Sequence, residues 1–115
     1  MELAAIHKAL EECPDAIQKA AEKVAEAKKA LDNAKRNAEM ARATATINNQ
    51  NAKNQMILNA LVENDSGVRE AEAEIIRCNA EYLIEISKHE AEKDRFDSAK
   101  KEANMIVAEI RSSTH

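Results

Sequence analysis

Tryptophan is missing from this sequence, and Tyr82 and Phe96 are its only aromatic residues. Without large rings to fill an interior, 115 residues cannot build a conventional globular core, and the entropy of ordering the backbone must be offset in another way. Glycine and proline occur once each, as Gly67 and Pro14, so few positions oblige a helix to end. Cysteine occurs twice, and Cys13 and Cys78 both fall on apolar helical positions. That excludes a disulfide framework and predicts reduced, buried thiols. No apolar run is long enough to cross a bilayer or to serve a signal peptide, so no membrane partner and a cytoplasmic setting are expected. Excess positive charge is also lacking: at a formal net charge of −4, general binding to a phosphate backbone is not favoured.

What is present is Ala, Glu and Lys in a chain that is 33% charged, the composition of coiled coils. Two such stretches of similar length flank Asn64-Asp65-Ser66-Gly67. The pattern predicts an all-α fold, a long antiparallel helical hairpin with a short N-terminal helix. Its expected parts are a short amphipathic helix over 1–13, a first long helix over 15–63, a turn over 64–67 and a second long helix over 68–112, in a single domain. Asp15 followed by Gln18 reads as a capping box opening the first long helix just after Pro14. The first seam runs Ile17, Ala20, Val24, Ala27, Leu31, Ala34, Ala38, Ala41, Ala45, and is mostly alanine. The second starts at Val68, with Asp65 or Ser66 as N-cap, and continues through Ile75, Cys78, Tyr82, Phe96, Ala99, Ile106 and Ile110. Folding about the turn sets residue i opposite about 131 − i, so Leu31 meets Lys100 and Val24 lies near Val107. Leu3, Ile6 and Leu10 then have no partner within the hairpin, and Pro14 is expected to separate or kink their helix.

Near the turn each arm carries a second apolar stripe, Met40, Ile47, Ile57 and Leu61 in the first, Ile76, Leu83 and Ile84 in the second. A helix apolar on two faces touches two neighbours. Ile47, Ile57, Leu61, Ile76, Leu83 and Ile84 are therefore the expected oligomer interface, through which the hairpin would dimerise into a four-helix bundle or assemble further.

Chemical sites are sparse. Glu85, His89 and Glu92 interrupt the second seam on one face, but the spacing is not the Glu-x-x-His of di-metal bundles, and the facing Lys35 and Arg42 are cations. A charged layer that fixes register is the expected role. No catalytic residue, metal ligand or cofactor site is assigned. Lys28, Lys35 and Arg42, with Asn49 in the amide-rich stretch from Asn48 to Asn59, form a possible nucleic-acid face, the alternative to a protein partner. Up to Val62 there are nine basic and eight acidic residues, and beyond it eight and thirteen, so attraction between the arms also accounts for the basic run.

Asp94-Arg95-Phe96, Lys100-Lys101, Ala103-Asn104 and Ala108-Glu109, with Asn51, Ala52 and Asn54 ahead of the turn, resemble small helical-hairpin proteins of tailed bacteriophages. The resemblance covers about half of the chain. It implies a phage or mobile-element protein in the host cytoplasm, of a group often encoded near recombination or single-strand-annealing functions. It implies no catalytic residue. The expected function is a non-enzymatic, homo-oligomeric coiled-coil interaction module that binds another protein, such as a recombination or host-defence component.

Overall fold

The computed structural model describes residues 2–113, so Met1, within the short helix expected over 1–13, lies outside the described residues. These residues form three helices and no strand: α1 (Leu3–Asn48), α2 (Gln55–Glu63) and α3 (Ser66–Ser113). They divide into two compact units. One combines the chain up to Val24 with the chain from Ile84 onward, and the other is Ala25–Leu83.

The expected helix bounds are corrected at three places. First, α1 runs through Pro14 without ending there. Apolar residues recur at alternating steps of three and four through Ile6, Leu10, Cys13 and Ile17, so one seam continues on both sides of the proline. Ala9 and Cys13 are buried in a cluster with Ala99, and Leu10, Ile17 and Phe96 pack against it. Packing thus overrides the missing amide. Asp15 is consequently inside the helix, and Gln18 donates to Glu22 at 3.4 Å rather than closing a capping box.

Second, the first arm breaks between Asn48 and Gln55. The Asn49 amide still reaches the Ala45 carbonyl at 3.1 Å, with its side-chain amide on the same oxygen at 2.7 Å, but the next bonds, Gln50 to Ile47 at 3.3 Å and Ala52 to Asn49 at 3.0 Å, close three-residue turns instead of helix. Asn54, in extended backbone, then caps α2 by accepting the Ile57 amide at 2.9 Å. Third, the connection into α3 is only Asn64 and Asp65, and Gly67 lies in the first turn of α3. Asp65 accepts the Val68 amide at 3.0 Å as the N-cap. A β-carbon on Gly67 would stand 3.1 Å from that carboxylate, so glycine leaves the cap its room.

These breaks change the register. In the unit containing both termini, Leu3, Ile6 and Leu10 line a groove with Ala103, Ile106 and Ile110, while residues 16–23 border residues 85–92. The two stretches are antiparallel, and facing numbers sum to roughly 110 rather than 131, since the chain reverses after Asn48 and spends the next residues on α2. The N-terminal stripe therefore has an intramolecular partner, and Leu31 is not opposite Lys100. In Ala25–Leu83, Leu31 and Ala34 cluster with Cys78, with Ile75 and Tyr82 against them. Ala45, Val62 and Val68 form the second cluster of that unit, joined by Ala41 and Leu58, which is how α2 is held.

Candidate interaction surface

The interior and the surface of Ala25–Leu83 differ in side-chain size. Its buried positions are Leu31, Ala34, Ala38, Ala45, Val62, Val68 and Cys78, whereas Met40, Ile47, Met56, Ile57, Leu61, Ile76 and Leu83 are exposed. Ile76 is 72% exposed and Met56 81%, while Val68 is at 0%. The inversion follows from the seam. Alanine lets helix axes approach closely, and the long side chains on the second stripe then project where this chain supplies no cover. All of the expected interface residues, Ile47, Ile57, Leu61, Ile76, Leu83 and Ile84, are exposed; Ile84 belongs to the other unit.

Arg42 secures α2. Its guanidinium donates to Glu63 at the end of α2 at 2.7 Å and also to Glu72 of α3, so one side chain joins three helices. The hydrogen bonds from Arg42 hold the Glu63 carboxyl below the usual carboxylate range, and the two carboxylates raise the guanidinium above its ordinary value. On α3, Arg77 donates to Glu74 at 2.9 Å and Glu81 at 2.7 Å and lowers the Glu74 carboxyl. Cys78 beside it donates to Glu74 at 3.5 Å, and burial pushes its thiol up, away from the reactive thiolate. Cys13 and Cys78 are both free and buried.

The residues expected to form a nucleic-acid face are differently placed. Lys28 pairs with Asp32 at 3.2 Å and lies over the Tyr82 ring at 5.7 Å. Arg42 is engaged by two carboxylates and Asn49 donates its side-chain amide to the Ala45 carbonyl, which leaves Lys35 as an exposed cation of the four. The amides of the Asn-rich stretch serve locally as caps and as the Gln55 to Asn59 bond at 2.8 Å.

In the unit containing both termini, Glu85 and Glu92 border a groove of about 310 Å³ with Ala16, Lys19, Ala20, Lys23 and Lys88. The cations facing this layer from α1 are Lys19 and Lys23, not Lys35 and Arg42, a direct consequence of the register. Lys88 stands 3.6 Å from Glu85, and Arg95 reaches Glu92 at 3.9 Å and Glu12 at 3.8 Å. One oxygen of each groove carboxylate, Oε2, is buried and accepts no hydrogen bond. No helix among the described residues is long and apolar enough to cross a membrane. No known protein family, no curated protein and no solved structure matches this chain.

Proposed function

We propose that this chain works without catalysis, as a self-associating helical module: a second copy covers the aliphatic side chains that its own fold leaves in water, and the assembled helices are what another protein recognises. The size inversion in Ala25–Leu83 carries this reading. A buried methyl contributes about 0.8 kcal/mol and a fully buried Ile or Leu about 2–3, so alanine clusters leave most of the available apolar stabilisation unused until Ile47, Ile57, Leu61, Ile76 and Leu83 are covered. The three described methionines, Met40, Met56 and Met105, are all exposed as well, and flexible thioethers suit surfaces that adapt to a partner. A homodimer forming a four-helix bundle answers both features. The phage resemblance supports a recombination or host-defence protein as the further partner.

Sedimentation across the micromolar range tests the reading. The expected result is a concentration-dependent shift from one chain to two, abolished by Ile84→Asp. A single chain at every concentration overturns it.

A further inference from the structure

On the self-association reading, we propose that the second copy docks through α3 itself, antiparallel, across a two-fold axis passing between Asn79 and Ala80. Ile76 and Leu83 are the large exposed side chains of this face, two helical turns apart, and Ala73 and Ala80 beside them are exposed and small. That alternation lets two such faces interlock: Ile76 of one copy lies against Leu83 of the other, twice over, and the alanines permit close approach of the axes. The choice of occupant rests on charge. When Ile76 faces Leu83 in an antiparallel pair, the residues one heptad outward, Arg69 and Glu90, face each other at both ends. Among the described residues Arg69 is exposed and forms no ion pair, and Glu90 meets Lys93, three residues on, at 3.4 Å. A parallel pairing in register would instead set Arg69 against Arg69 and Glu90 against Glu90. The face is therefore complementary to its own inverted copy and not to its parallel one.

The experiment compares the dimer dissociation constant, by sedimentation equilibrium at low salt, of the full chain with Arg69→Glu, Glu90→Arg and the double variant. Each single change is expected to weaken the dimer by about ten-fold, since two symmetric pairs are reversed together, and the double variant to return to within about two-fold. Ile76→Asp and Leu83→Asp are expected to remove the dimer while helical circular dichroism persists, because both side chains lie mostly in water in the single chain. A dimer indifferent to both charge reversals, or a double variant no tighter than the singles, overturns the α3 pairing and leaves self-association standing. A wild type that never dimerises overturns both.

Discussion

The two units are built from the same small-residue seam, yet they dispose of their large aliphatics differently. Where the two ends of the chain meet, Ile6 is buried and Leu10, Ile17 and Phe96 are at least half-covered around Ala9, Cys13 and Ala99, while Leu3, Met105, Val107 and Ile110 at the open end stay exposed. In Ala25–Leu83 a third helix is added, and still Ile47, Met56, Ile57, Leu61, Ile76 and Leu83 stay exposed. Adding α2 supplies Val62 and Leu58 to the core but brings three further apolar side chains to the surface. A short helix on an alanine seam has one side to bury, so a segment apolar on both sides creates more uncovered surface than it removes. Both units thus keep apolar area in water, and in Ala25–Leu83 α2 adds to it, which is a reason to look there for partners.

Val68→Asp is the largest way to break the comparison. Val68 is fully buried where Ala45 and Val62 meet α3, and an unpaired carboxylate there is expected to destabilise Ala25–Leu83 by about 3–5 kcal/mol. Amide exchange should show protection lost around Ala45, Val62 and Val68 and kept around Cys13 and Ala99. Uniform loss would mean that the two units open as one. Pro14→Ala acts on the other region and in the opposite direction. Removing a proline from a helix interior gains roughly 3 kcal/mol, less the proline's restriction of the unfolded chain, for a net of about 2. The urea midpoint should rise with an unchanged slope.

The same contrast explains which features could be read from residues alone. The all-helical character and the antiparallel pairing of the two arms follow from composition and a three-four stripe, and the exposed Ile76 and Leu83 follow from a second stripe. The register did not. Proline at position 14 signals a helix break, although Leu10, Cys13 and Ile17 carry the seam straight across it, and summed packing over several turns outweighs one lost hydrogen bond. Conversely, Asn48, Asn49, Asn51 and Asn54 suggest a polar face on a continuous helix, and they lie instead at the break itself. Each has low helix propensity, Asn49 bonds the Ala45 carbonyl of the last turn of α1, and Asn54 makes the side-chain bond that begins the next helix. This break moves facing residues along the arms by several turns, which is why Lys19 and Lys23, rather than Lys35 and Arg42, meet the Glu85 and Glu92 layer.

A smaller effect is expected from Asn54→Ala. The Asn54 side-chain oxygen Oδ1 accepts the Ile57 amide, and removing an N-cap of this kind costs about 1 kcal/mol. Because α2 buries only Val62 fully enough to anchor it, the loss should appear as faster amide exchange within Gln55–Glu63, with the cluster of Ala9, Cys13 and Ala99 unaffected. Equal effects in both places would mean that α2 is not separately held.

Acid should separate the regions most gently. The Glu63 and Glu74 carboxyls are both held below their ordinary value, by hydrogen bonds from Arg42 and Arg77 respectively. The unfolded chain then binds protons at a higher pH than the folded one, so the stabilisation is complete above the usual glutamate value near about 4.3 and fades as pH falls through the lower folded values. Both carboxylates are solvent-exposed, which keeps the effect small. The urea midpoint followed from neutral pH downward should be level and then decline below about pH 4.3, and Arg42→Met should make that decline shallower by the share of Glu63 while leaving that of Glu74. If the two curves run parallel instead, Arg42 positions α2 by its bulk alone and its charge contributes nothing to the hold.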